Sequence, residues 1–134
     1  MKTMKNILLV VITIGLITGC GCSKKDETTT EGPKANTNEG VIKDQTVETF
    51  ELKNTSLIYE DGTTTLTTSV TNTSNKDEYL KEFEIRVEDN SGNELVTLKG
   101  FVGSTIKSGE TKMINSYCGE DLSNATKITY TVIR

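Results

Sequence analysis

Glu82, Glu84, Arg86 and Glu88 occupy alternate positions of one short segment, and alternate residues of a strand share a face. Carboxylates spaced this way stand about 6–7 Å apart, a separation compatible with acid–base work on a glycosidic bond. That chemistry also needs a cleft and two carboxyl groups whose pKa values are driven apart. The intervening residues are apolar (Phe83, Ile85, Val87), so the segment reads as a half-buried strand whose solvated face carries the charges. The expectation is an acidic surface patch and no catalytic residue. Tyr79, Glu82, Glu84 and Arg86 are then the candidate contacts for a cationic ligand or partner.

Other polar clusters are weaker. Asp89-Asn90-Ser91-Gly92-Asn93 crowds oxygen-bearing side chains together, but calcium needs six to eight oxygens in a cage, and a Gly-containing hairpin turn accounts for all five residues. The chain has no His, which removes the commonest general base and the commonest metal ligand. A serine nucleophile would need Lys as its base, and Lys107-Ser108 are sequence neighbours in a turn, a poor geometry for that pair. No metal site and no cofactor are expected.

The N-terminus carries different chemistry. Lys2 and Lys5 precede an uncharged run of 11 residues, Ile7–Ile17, which exits through Thr18-Gly19 into Cys20. A basic segment, an apolar core and a small-residue exit make a secretory signal, and the run falls short of the roughly 20 residues that span a bilayer. With Ile17, Thr18 and Gly19 before Cys20, the segment resembles the lipobox of bacterial lipoproteins. The resemblance implies that Cys20 takes a diacylglyceryl group and becomes the mature N-terminus, on the outer face of the cell membrane of a Gram-positive bacterium. Two acyl chains suffice for stable anchoring.

Removing residues 1–19 takes away two lysines and no acids, leaving 13 basic against 19 acidic side chains. An acidic balance opposes nucleic-acid binding, which needs clustered Lys and Arg, and a polybasic grip on anionic lipid. The expected partners are the membrane, through the lipid anchor, and a protein or cell-wall polymer of unknown identity. Of the three cysteines, Cys22 and Cys118 remain beside the lipidated one; the reading favours Cys118 as a small, partly buried thiol over a bridge through the linker.

Three regions follow: a signal peptide over 1–19, a linker over 20–43 and a domain over 44–134. The linker is expected to be disordered, because Lys, Asp, Glu, Thr, Gly and Asn dominate it and Ala35 is almost its only apolar residue before Val41. Beyond Thr46 the chain alternates with period 2 and breaks at turn residues. Phe50/Leu52, Leu57/Tyr59, Leu66/Thr68/Val70, Phe83/Ile85/Val87, Val96/Leu98, Thr111–Cys118 and Ile128/Tyr130/Val132 mark six or seven strands, and Asp61-Gly62 marks a tight hairpin. No long stretch shows helical spacing, and Gly119–Ala125 is at most a turn. The fold class is all-β, an immunoglobulin-like antiparallel β-sandwich.

Leu66–Asn75 (LTTSVTNTSN), Phe83–Leu95 (FEIRVEDNSGNEL) and Ile106–Thr111 (IKSGET) resemble the FxLYD-type domains of Gram-positive lipoproteins. In that family a strand ends in an Asn-rich turn, another closes on Asp-x-x-Gly, and a Pro-Gly-Glu-like turn precedes a late strand. Here Ser108 stands where Pro is usual, and the aromatic signature is not intact. The resemblance implies the same sandwich and a lipoprotein context, and supplies no catalytic residue. The functional expectation is a membrane-anchored, non-enzymatic binding module. The alternatives are an accessory subunit that pairs through a sheet edge and a small hydrolase built on Glu82 or Glu84.

Overall fold

The structure is a computed structural model, and residues 31–134 are described. Cys20, Cys22, the signal peptide and the first part of the linker lie outside the described residues. Elements run in the order β1 (Lys34–Ala35), α1 (Glu39–Ile42, a single turn), β2 (Gln45–Val47), β3 (Phe50–Glu60), β4 (Thr63–Asn72), β5 (Glu78–Glu88), β6 (Glu94–Ile106), β7 (Thr111–Cys118) and β8 (Lys127–Ile133).

Two antiparallel sheets face each other. In the first, β1 and β2 share the outer edge of β3, which pairs with β4, which pairs with β7. In the second, β5 lies between β6 and β8. The chain therefore leaves the first sheet after β4, returns for β7 and crosses again for β8. This is the Greek-key wiring of an immunoglobulin-like sandwich.

Turn chemistry sets the register. Asp61 and Gly62 both have positive φ (49° and 80°), the two-residue hairpin conformation whose twist matches the strands, and Glu60 pairs with Thr63 across it. β3 buries Phe50 and Leu52, then Thr55 and Leu57. That change from even to odd positions would flip half the strand outward. A bulge between Lys53 and Ser56, with Asn54 at φ 56°, absorbs the extra residue. One strand thus spans what the sequence pattern suggested as two segments. β6 holds a comparable irregularity: three steps from Phe101 to Ser104 oppose two steps on β5, and Gly103 has φ 61°.

The core is stitched by rings. Phe83 stands edge-on to Phe50 at 5.8 Å and to Tyr130 at 5.9 Å, geometry favoured by the ring quadrupole. Leu52, Leu66, Val70 and Ile114 from the first sheet meet Leu80, Ile85, Leu98 and Ile128 from the second, all buried. Gly100 permits the close approach at the closed side, because a Cβ there would press on the Ile114 and Ile85 side chains. Asn72 closes one end: its amide nitrogen donates to the carbonyls of Lys76 and Ile106, and its oxygen accepts from the Ser74 N–H and hydroxyl. All four hydrogen-bonding positions of that buried side chain are filled.

One expectation fails. Residues 34–43, read as flexible linker, are ordered against the sandwich, and the compact body begins at Gly32. Hydropathy misses the cause, which is mostly polar. Asn36 is 4% exposed; its amide donates to the carbonyls of Leu122 (2.9 Å) and Ala125 (2.8 Å), and its oxygen accepts the Asn38 N–H. Asn38 then caps α1 by accepting from the Gly40 N–H. A Cβ on Gly40 would overlap the Thr126 carbonyl oxygen, and Val41 is fully buried in the core. The resulting strap of residues 32–43 lies along the β3 edge and the β7–β8 connection.

Candidate functional site

The four residues singled out from the sequence all lie on β5, on the outer face of the β6–β5–β8 sheet. Inward positions Leu80, Phe83, Ile85 and Val87 are buried, which turns Tyr79, Glu82, Glu84 and Arg86 toward solvent. Glu82 is ion-paired with Lys99 of β6 at 3.3 Å. Arg86 lies between Glu88 and Glu94, at 3.6 and 3.4 Å. Glu84 stands between Lys99 and Thr131 in the pairing register. These carboxylates occupy an open sheet face with cations beside them. Among the described residues, Glu82 and Glu84 lie on this open face and not in the cleft that a hydrolase built on them requires.

The same face presents an aromatic residue that the sequence reading passed over. Phe101 pairs directly opposite Glu82 and is 67% exposed, with Tyr79 at 48% on the same sheet. A Cβ on Gly103 would strike the Phe101 ring, so the bulge at Gly103 gives the ring a backbone surface to rest on. Two exposed rings therefore stand on one sheet face, Phe101 opposite Glu82 and Tyr79 opposite Thr105, with surface ion pairs of about 0–1 kcal/mol each among them. Such weak pairs exchange readily for contacts to a partner. The signal for Phe101 was present: Leu98 and Gly100 point inward, so the odd position 101 must point out. Tyr117 is the most exposed tyrosine, at 65%, because Ile114 and Ser116 take the inward positions of β7.

A cleft of about 780 Å³ opens between the strap and the β5–β6 turn, lined among others by Gly40, Lys43, Gln45, Glu88, Asp89 and Lys127. Its most conspicuous acid is already engaged. The Asp89 carboxylate accepts from the backbone and side-chain N–H groups of Asn93 and from the Ser91 N–H, and these bonds hold it below the usual carboxylate range. The side chain thus organises its own hairpin turn. Among the described residues no group of three or more His, Cys, Asp or Glu is arranged to hold a metal ion.

The sheet edges are guarded. On β3, β1 and β2 pair with the two ends and the Asn54 bulge interrupts the middle. Where β6 and β7 meet at the side of the sandwich, the Ser116 hydroxyl donates to the Lys99 carbonyl and Lys112 to the Ser104 hydroxyl. Along β8, the Gln45 amide donates to the Ile128 carbonyl and Arg134 forks onto the Glu48 carboxylate. Bulges, short cover strands and charged caps are the usual protection of exposed edges.

No protein-family model matches the chain, and no curated protein sequence matches it. Among solved structures it is similar to the crystal structure of a DUF1425 family member from Shewanella sp. pv-4, with 11% sequence identity and a TM-score of 0.45, covering 63% of this chain and 77% of that one. A likeness at that level carries no argument about role.

Proposed function

We propose that the chain is a lipid-anchored, extracytoplasmic binding module that is not an enzyme, held at the outer face of a bacterial membrane through Cys20 and recognising a partner with the open face of its β6–β5–β8 sheet. On this reading residues 1–19 are the signal peptide and the domain is of the FxLYD type. The unit that holds the sandwich begins at Gly32, with 11 residues of sequence between it and Cys20.

The observation that carries the reading is the presence of two exposed rings on one sheet face, Phe101 opposite the ion-paired Glu82 and Tyr79 opposite Thr105. Aromatic side chains with a rim of exchangeable charge are the usual composition of a recognition surface. Edge pairing is the weaker alternative, because each edge already holds side-chain or strand partners.

Crosslinking in intact cells, read by mass spectrometry, tests this. The wild-type chain should yield a defined adduct that the Tyr79→Ser/Phe101→Ser variant loses while keeping its thermal midpoint. Adducts unchanged in the double variant would overturn the assignment of the surface. Cys20→Ala should abolish lipid incorporation and membrane retention; a correctly cleaved variant still retained in the membrane would contradict the anchor.

A further inference from the structure

The strap is a short peptide seated in a groove that matches it point by point. Its backbone pairs with β3 at two positions, Lys34 with Tyr59 and Ala35 with Ile58, and the Asn36 N–H donates to the Leu57 carbonyl at 2.9 Å. The Asn36 amide fills two carbonyls of the β7–β8 connection, the Lys34 ammonium lies 3.6 Å from the Asp121 carboxylate, and Val41 is buried in the core. Gly40 passes against the Thr126 carbonyl, where a Cβ would overlap the oxygen. The body therefore reads an extended segment at fixed points. It wants an amide donor, a residue without a side chain four positions on, and a small apolar side chain directly after that.

The strap is also separable from the body. Val41 is its single fully buried apolar side chain, and segments with few buried apolar contacts sit at the low end of local stability. Ile42, Lys43 and Asp44 are exposed, Lys43 is extended (φ −68°, ψ 143°), and pairing with β3 resumes at Gln45. The strap can thus swing about Lys43 and Asp44 while β2 stays in place. An emptied groove is costly. It leaves the buried Leu122 and Ala125 carbonyls without the Asn36 donor and opens a hole where Val41 sat. The segment that restores every one of these contacts is another copy of residues 32–43.

We propose that this groove is a homotypic docking site, and that two copies of the chain join by exchanging straps about the Lys43–Asp44 hinge. Each body then holds the other copy's strap in place of its own, through contacts of the same kind. Reciprocal exchange of one element is a low-cost route to a closed twofold dimer. Within one chain the strap competes at high effective concentration, so exchange is favoured where copies are crowded. Crowding on a membrane rests on the anchor proposed above; the exchange itself does not.

Two measurements on the detergent-solubilised full chain test this. The first is titration with a fluorescent peptide of residues 32–43. Asn36→Ala in the chain weakens the resident strap, so it should tighten apparent peptide binding about tenfold by populating the open groove. Asn36→Ala in the peptide should weaken binding by a similar factor. The second measurement mixes heavy-isotope-labelled and unlabelled chains, each with a photo-crosslinking residue at Thr37, an exposed position on the same hollow as Ser123 and Asn124. Illumination should give strap-to-body adducts of mixed label that map to residues 121–125, and excess 32–43 peptide should suppress them. This arm needs no destabilising substitution, so it decides the matter even if the Asn36→Ala chain fails to fold. Mixed adducts absent up to about millimolar chain, the effective concentration of a tethered segment, would overturn the proposal. So would mixed adducts scattered over the surface, or a peptide that binds the folded Asn36→Ala chain no more tightly than the wild type. Neither readout involves Cys20, so this proposal and the anchor fail separately.

Discussion

Replacing Asn36 with alanine removes the bonds that hold the strap to the β7–β8 connection. The wild-type amide donates to Leu122 O and Ala125 O at 2.9 and 2.8 Å and accepts the Asn38 N–H at 2.8 Å. Each net bond contributes about 0.5–1.5 kcal/mol, and a buried group left without a partner costs about 1–3 kcal/mol. With two buried carbonyls losing a donor, the expected loss is about 3 kcal/mol, or roughly 15 °C in thermal midpoint for a domain of this size. Asn36→Asp is the sharper comparison. It keeps an acceptor for Asn38 but sets a carboxylate against two carbonyl oxygens, so it should cost more than alanine at pH 7. The new carboxyl's folded pKa is raised above its unfolded value of about 3.9. Its protonated form regains a donor, so the penalty relative to Asn36→Ala should shrink as pH falls toward about 4. Urea unfolding followed by circular dichroism gives the free energies. Hydrogen exchange at Asn38–Lys43 separates global unfolding from detachment of the strap alone, which caps the loss at the strap's own docking free energy. A loss under about 1 kcal/mol with unchanged exchange protection would refute the claim that Asn36 holds the strap.

Gly40→Ala should release the same segment by steric overlap with the Thr126 carbonyl, raising exchange at residues 38–43, whereas Gly32→Ala, with open space around it, should leave the midpoint within about 1 °C; equal midpoints for the two would contradict the packing. The Cys118 thiol is pushed upward chiefly by burial, so at pH 7 it should react with iodoacetamide more slowly than a peptide cysteine, and an equal or faster rate measured by mass spectrometry would show an accessible thiolate. Asp121 resembles Asp89: bonds from the Ser123 hydroxyl and N–H hold it low. Folded pKa values below the unfolded ones give stability that is present above about pH 3.9 and lost as pH falls through the folded values. The thermal midpoint of the wild type should therefore drop below about pH 4, and Asp89→Asn/Asp121→Asn should flatten that drop; an unchanged slope would remove these turns as its cause.

Strict alternation made much of the fold legible. β4, β7 and β8 fall where their residues alternate, because one buried face per strand is a strong constraint on register. β3 was harder to read as one strand: its pattern changes phase at Asn54, and a bulge is visible only as a contradiction between two halves. β5 reaches back to Glu78 through Tyr79, and β6 runs on to Ile106 through Gly100 and Gly103, since those glycines serve close packing and a bulge rather than a stop. The strap was illegible for a different reason. Its order rests on Asn36, the Asn38 cap, Gly40 and Val41, each unremarkable in composition. A single Asn satisfying two carbonyls across more than eighty residues of sequence leaves no local pattern. The surface faces were half legible, since alternation says that Phe101 and Tyr117 point outward but gives no direct account of what either would touch.

The distribution of protection favours faces over edges as the recognising surfaces. An open sheet edge offers a row of backbone donors and acceptors that any extended chain can satisfy, and here each edge meets a strand, a bulge or a side-chain bond. To add a strand beside β8, a partner would displace Gln45 from Ile128 O and part Arg134 from Glu48. To add one at the β6–β7 side, it would separate Ser116 from Lys99 and Lys112 from Ser104. Among the described residues the outer faces carry no such cover. One displays Tyr79 and Phe101 among exchangeable ion pairs and the other displays Tyr117 beside Thr65, and the two point in opposite directions from a shared core. Contact at one face therefore leaves the other unobstructed. Substitutions at Phe101 and Tyr117 should have additive effects on stability, since the full thickness of the core lies between these side chains, and a coupling above about 0.5 kcal/mol would contradict that separation.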